Sequence, residues 1–169
     1  MKYIFIDPSG SFNEGKGHTG IATIKDDDWS TLEYKSIAAK DFKTRFEYWS
    51  AIINETLNPV RHKPDECQII IESFMIRTQG FLMGKMPETI QFIGAYEFVC
   101  DTYGLSYSLQ TPTQAKSRFK DDDLPRYIPG FEKRPNGRYY LNGKQVNDHI
   151  RDALKHLLYF IKYRKDKTL

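Results

Sequence analysis

The chain has 169 residues, 40% of them hydrophobic and 28% charged, with a formal net charge of +3. That balance describes a soluble globular protein and excludes a disordered segment, and no apolar run is long enough to span a bilayer. So small a net charge says little about nucleic acid, because the placement of charges matters more than their sum. The length suits one domain over residues 1–169. The start, MKYIFIDPSG, carries one lysine and a short apolar run without a small-residue cleavage site, so the expected location is the cytoplasm. Cys67 and Cys100 sit within apolar patterns and read as small buried hydrophobes, not as a disulfide or zinc ligands.

In chain order, periodicity predicts strands over Tyr3–Asp7, Gly20–Lys25 and Leu32–Ile37, with the last two separated by Asp26-Asp27-Asp28. A helix is predicted from Asp41, with Phe42, Phe46, Trp49, Ile53 and Leu57 at three-to-four spacing and an end before Pro59. Cys67–Ile71 is a continuous isoleucine-rich run, the pattern of a central strand covered on both faces, and it ends at Glu72. Pro87 opens a helix through Ile90, Phe92, Ile93, Tyr96 and Val99 that stops at Gly104. A strand over Leu105–Gln110 follows. Thr111-Pro112-Thr113-Gln114 then reads as a capping box with proline at the first helical position, starting a short helix that carries Lys116. Residues 119–146 are rich in proline, glycine and charge and form an excursion, with Asn142-Gly143 as a tight hairpin turn. Asn147 caps a last helix with Ile150, Ala153, Leu154, Leu157, Leu158 and Ile161 on one stripe. The order of elements is similar to that of the RNase H-like fold. The expected architecture is α/β, a mixed five-stranded sheet flanked by helices.

Three acidic positions fall at element ends. Asp7 closes the first strand and Glu72 the fourth, and in an open α/β sheet ligands bind beyond the carboxyl ends of the strands. If these strands are parallel neighbours they lie about 4.8 Å apart, so both carboxylates share one small volume and need a counter-charge. Two Mg²⁺ ions, which take a few carboxylates together with water and phosphate oxygens, would supply it. Each residue also has an ordinary reading. An aspartate before a proline suits a turn, whereas a glutamate directly after Ile69-Ile70-Ile71 is costly to bury without a task. The third position lies in Asn147-Asp148-His149-Ile150-Arg151-Asp152-Ala153-Leu154.

Taken together, Ile4-Phe5-Ile6-Asp7-Pro8 with Ser9-Gly10, Thr19-Gly20, Ile71-Glu72 and His149-x-x-Asp152-Ala153-Leu154 resemble the RuvC family of Holliday-junction resolvases. The resemblance spans nearly the whole chain. It implies a metal-dependent DNA endonuclease in which Asp7, Glu72, His149 and Asp152 hold two Mg²⁺ ions, with Mn²⁺ as a substitute. It also implies a homodimer that nicks a four-way or otherwise branched DNA in pairs. His149 stands where relatives carry aspartate or histidine, and a neutral imidazole is an adequate ligand in a mixed site. Asp148 is the other candidate for that place, since four residues before Asp152 make about one helical turn. Its ordinary reading is an acid in a helix first turn, favoured by the macrodipole.

For DNA contact the resemblance points to Lys116, with Arg118 close by, as phosphate-binding residues. Between residues 116 and 144 eight Lys or Arg stand against four acids, interleaved with Tyr127, Phe131, Tyr139 and Tyr140. Arg134 and Arg138 within this stretch are candidates to follow a backbone while the aromatic rings stack on unpaired bases. An ordinary charged hairpin is the competing reading. Here the chain departs from cellular RuvC proteins and looks more like bacteriophage resolvases, which would place it in the cytoplasm of a bacterial host. The apolar segment after Glu72 is set by the resemblance near a dimer interface, with Phe74 or Phe81 as an aromatic wedge for the DNA junction and Arg77 as a further DNA contact, whereas core packing is the ordinary reading for most of its residues. An actin-like ATPase or sugar kinase would share the first strand, but 169 residues do not supply two closing domains, and no nucleotide cofactor is expected. Another RNase H-like nuclease, or a non-catalytic junction-binding protein, remains the alternative reading.

Overall fold

The computed structural model describes residues 1–9, 12, 15–73 and 88–163. Three strands open the fold as an antiparallel meander, β1 (Lys2–Asp7), β2 (His18–Lys25) and β3 (Asp28–Ala38). Helix α1 (Arg45–Leu57) leads to β4 (Cys67–Glu72), and helix α2 (Glu88–Thr102) precedes β5 (Tyr107–Gln110). The strands lie in the order β3-β2-β1-β4-β5, with β4 parallel to both β1 and β5. The mixed five-stranded α/β sheet expected from the sequence is therefore what forms.

Side-chain alternation sorts the sheet into two buried faces. Ile4, Ile6, Ile69 and Ile71 join Tyr48, Trp49, Ile52, Phe92, Tyr96 and Cys100 in a cluster built with α1 and α2. Tyr3, Phe5 and Ile70 join Leu154, Leu157, Leu158 and Phe160 on the opposite face, contributed by the last helix, α4 (Asp148–Tyr163). The second cluster also takes in Phe119, Leu124, Ile128, Phe131, Leu141 and Val146. These come from the stretch after the short helix α3 (Pro112–Lys116), which holds a 3₁₀ turn over Asp121–Arg126 and a three-stranded sheet of β6 (Phe131–Lys133), β7 (Tyr139–Leu141) and β8 (Lys144–Gln145). Tyr34 on β3 fastens the small sheet by donating its hydroxyl to the Leu141 carbonyl at 2.8 Å. No helix among the described residues is long and apolar enough to cross a membrane.

Several boundaries differ from the sequence expectation for physical reasons. Helix α1 starts at Arg45, not Asp41, because Thr44 and Glu47 form a reciprocal capping box, while Ala39–Asp41 make a 3₁₀ turn. Phe42 thus stands outside the helix, and Phe46 is exposed. Strand β3 begins at Asp28 because Asp26 and Asp27 alone make the turn, both at positive φ of 50° and 61°. Leu105 precedes β5 and is buried after Gly104, whose φ of 64° lets the Leu105 amide return to the Cys100 carbonyl at 2.9 Å. Asn142 and Gly143, at φ 50° and 78°, make the hairpin turn between β7 and β8. Pro87, expected to open α2, lies outside the described residues.

Candidate metal centre

Two parallel strands bring the first two acids together. The register Ile6 with Ile71 puts Asp7 and Glu72 one residue further along adjacent strands. By alternation both belong to the face that carries Phe5 and Ile70, the face covered by α4. Helix α4 can descend onto this point because Gly20, paired with Asp7, has no side chain beneath it. Its start is fixed by Asn147, whose Oδ1 accepts from the Ile150 amide at 3.0 Å and whose Nδ2 donates to Ser36 Oγ at 2.9 Å. Asp152, one turn into the helix, completes a group with Asp7 and Glu72 in which one ligand oxygen from each lies within 4.8 Å of the others.

His149 enters through Asp7, with its Nδ1 2.8 Å from Asp7 Oδ2. A neutral ring that donates from Nδ1 keeps its Nε2 lone pair available for a metal or a proton. Asp148 is placed differently. Its side chain is 85% exposed and its nearest charged partner is Arg151, 4.0 Å away and also on α4. Lys116 reaches in from α3, whose capping box forms as the sequence suggests, and lies 2.8 Å from both Glu72 Oε1 and Asp152 Oδ2. It is the ammonium counter-charge of the cluster.

The electrostatics follow from crowding. Burial pushes the Asp7 carboxyl up to about 6, with the Glu72 charge adding to it and the His149 hydrogen bond opposing it. Burial also raises Glu72, but the His156 ring and Lys116 beside it outweigh burial and hold it below the usual carboxylate range. Asp152 is likewise held low, burial being overcome by Lys116 and Lys155. His149 is pushed above its ordinary value by its hydrogen bond to Asp7, against burial. Mostly ionised carboxylates confined in a buried volume suit a hard divalent cation. A second observation favours that fit: Glu72 Oε2 is fully buried and has no hydrogen-bond partner.

Two residues of this site were not legible as such in the sequence. His156 is 2% exposed, with Nδ1 2.8 Å from Gln110 Oε1 and Nε2 2.9 Å from Glu72 Oε2. Lys155 is 8% exposed and lies 2.9 Å from Asp152 Oδ1 and 2.5 Å from Asp121 Oδ1. The sequence carried no signal for them, since Lys155 and His156 fall off the apolar stripe, between Ala153-Leu154 and Leu157-Leu158, where a helix ordinarily carries its polar side chains. Arg151 joins the same network, donating to Asp121 Oδ2 at 2.9 Å.

The remaining DNA-contact candidates are not at the cluster. Arg118 is exposed, its guanidinium 5.9 Å from the Tyr163 ring centre. Arg134 stacks 3.9 Å from the Tyr140 ring centre and pairs with Glu132, and Arg138 reaches Gln145 at 3.4 Å. Both lie in the loop that joins β6 to β7. Phe74, Arg77 and Phe81 lie outside the described residues, as does Gly10.

No family model matches the chain, and no curated protein matches it in sequence. Solved structures do match. RuvC of Thermus thermophilus in complex with Holliday junction substrate superposes with a TM-score of 0.65 at 17% identity, over 99% of this chain and 97% of that one. A second Thermus thermophilus RuvC structure gives 0.63 at 16% identity, over 99% and 98%. The chain therefore has the RuvC form of the RNase H-like fold.

Proposed function

We propose that this protein is a divalent-metal-dependent DNA endonuclease that cuts four-way or other branched DNA by paired nicks. The observation that carries the reading is the carboxylate group Asp7, Glu72 and Asp152, set at the carboxyl ends of two parallel strands in a RuvC-type sheet. Asp7, Glu72, Asp152 and His149 would hold two Mg²⁺ ions, or Mn²⁺ in their place. Such ions neutralise phosphate charge and lower the pKa of bound water.

The chain's own residues supply positioning and charge. Asp7 fixes the His149 ring through Nδ1, so that Nε2 can serve as a ligand or accept a proton. Lys116, held by Glu72 and Asp152, is placed to pair with a phosphate that enters the cluster. Arg118, Arg134 and Arg138 lie on exposed surface and contact DNA outside the reacting bond. Phe74 and Arg77 meet the branch point. Two equivalent strands of a near-symmetric junction call for two equivalent sites, hence a two-fold homodimer, and light scattering of the active species reads that directly. No nucleotide cofactor takes part.

A gel assay with four-way, three-way and linear duplex DNA, in Mg²⁺ or EDTA, tests the reading. Paired nicks in branched DNA that disappear with EDTA are expected. Binding without cleavage under every metal condition would identify a junction-binding protein instead, and cleavage of linear duplex or RNA–DNA hybrid alone would identify another nuclease of the same fold.

A further inference from the structure

We propose that His156 is an inner nitrogen ligand of this metal centre, and that the site therefore binds Mn²⁺ or a similar transition ion more tightly than Mg²⁺. The inference rests on reading the carboxylate cluster as a metal centre and adds a donor that the sequence comparison did not suggest.

The argument starts from the hydrogen on the imidazole. Nδ1 of His156 faces Gln110 Oε1 at 2.8 Å, and a carbonyl oxygen only accepts, so Nδ1 carries the proton. In the neutral ring Nε2 then presents a lone pair. That lone pair meets Glu72 Oε2 at 2.9 Å, yet the two atoms are out of line for a hydrogen bond, and both are fully buried without a partner. With the ring neutral and in this tautomer the contact leaves a buried carboxylate oxygen without a hydrogen, which is costly, whereas a ring protonated on both nitrogens would pair with Glu72 as an ion pair. A cation bonded to both atoms satisfies them.

The spacing agrees. Two donors at right angles around an ion about 2.1 Å from each stand about 3 Å apart. Anchoring of the other ring nitrogen by a carbonyl is how metal-bound histidines are commonly oriented. Helical geometry supplies the approach, because His156 lies one turn beyond Asp152 on α4 and so faces the same strands. Glu72 belongs to both arrangements, bonding Lys116 through Oε1 and facing His156 through Oε2. An imidazole nitrogen among carboxylates shifts preference from Mg²⁺ towards softer divalent ions.

In the competing arrangements Nε2 of His156 carries a hydrogen and merely supports Glu72, either because the Gln110 amide, whose Nε2 is buried without a partner as it stands, is turned over or because the ring is protonated on both nitrogens. Pulsed electron paramagnetic resonance of Mn²⁺ bound to the DNA-free protein separates these from coordination, because a directly coordinated imidazole imposes nitrogen modulation on the echo. His149 is a candidate ligand and His18 stacks 6.1 Å from it, so the decisive sample is the His149→Asp, His18→Asn double variant. Nitrogen modulation is expected to persist there and to vanish when His156→Gln is added. His156→Gln alone should weaken Mn²⁺ binding about tenfold or more, since loss of even an outer-shell partner has that effect, with a smaller loss for Mg²⁺. Bound Mn²⁺ without nitrogen modulation in the double variant overturns the proposal, even if His156→Gln fails to fold. Mn²⁺ that binds with nitrogen modulation but supports no DNA cleavage keeps this inference and sinks the nuclease reading. A protein that takes up no Mn²⁺ sinks both.

Discussion

Gly20 lies directly against the backbone of His149: a carbon added at its Cβ position would stand 2.1 Å from the His149 carbonyl oxygen and 2.8 Å from the Ile150 nitrogen. Both neighbours are backbone, so neither can swing aside. Gly20→Ala is expected to lift the start of α4 and separate His149 from Asp7. Overpacking of this kind costs about 1–3 kcal/mol, which for a chain of this size corresponds to a fall in Tm of roughly 3 to 10 °C. Differential scanning calorimetry reads the shift, and an unchanged Tm would show that α4 does not depend on this contact.

Asp7→Asn and Glu72→Gln are expected to abolish cleavage and to leave binding to a four-way junction within a few-fold of wild type. Each removes a charged ligand atom from the cluster while Lys116, Arg118, Arg134 and Arg138 remain. Loss of several kcal/mol of charge stabilisation amounts to at least a thousandfold in rate. Parallel cleavage and mobility-shift assays provide the check. Retained nicking by either variant would remove these carboxylates from the reaction.

The metal-free protein should respond to pH through Asp7 and His149 in the same sense. Asp7 rises from 3.8 to about 6 on folding, so its contribution to stability is complete below 3.8 and is lost as pH rises through about 6. His149 is also raised above its ordinary 6.5, so its contribution is present below 6.5 and lost as pH rises through the raised value. Glu72 and Asp152 are lowered, and theirs is lost only as pH falls below the usual carboxylate range. In EDTA, wild type should lose stability relative to Asp7→Asn as pH rises from about 3.8 through about 6, and further as it rises through the raised value of His149. Excess Mg²⁺ or Mn²⁺ needs Asp7 charged and His149 neutral, so its stabilising effect should grow over the same interval. A metal-induced Tm gain that is flat with pH would contradict this.

His149 and Asp148 separate by substitution. Asp148, 85% exposed and 4.0 Å from Arg151, should tolerate alanine with less than about a twofold change, as exposed ion pairs contribute little. His149→Ala should need more metal or fail, whereas His149→Asp should keep metal-dependent cleavage. In wild type, activity should decline with falling pH from above the ordinary histidine range, because a proton competes with the metal for a ring whose pKa is raised. The aspartate variant should lose less over that interval. If Asp148→Ala is inactive and His149→Ala cleaves normally, the assignment is reversed.

Much of this site was legible because its parts occur at element ends. A run of isoleucines halted by Glu72 and an aspartate after Ile4-Phe5-Ile6 announce both strand and terminus, and Asn147 marks where α4 begins. What stayed hidden depends on contacts between distant segments. Asp41 and Thr44 both have cap chemistry, and only the reciprocal bonds of Thr44 with Glu47 decide between them. Lys155 and His156 fall off the apolar stripe like ordinary polar-face residues, and only Asp121, Glu72 and Gln110, brought from far along the chain, give them partners. The role of Tyr34 in holding the small sheet spans 107 positions and leaves no local trace.

The position of Lys116 has a thermodynamic consequence. With its ammonium bonded to Glu72 and Asp152, an arriving dication must displace a bound cation, and metal uptake by the protein alone is an exchange reaction. A DNA phosphate offers the released ammonium a new partner, so metal and DNA should each raise the other's affinity by one common factor. Removing the exchange, as in Lys116→Met, should tighten metal binding in the absence of DNA while erasing that mutual enhancement. If the cluster is the metal centre proposed above, a protein arranged in this way would hold metal weakly there until a DNA backbone is in place.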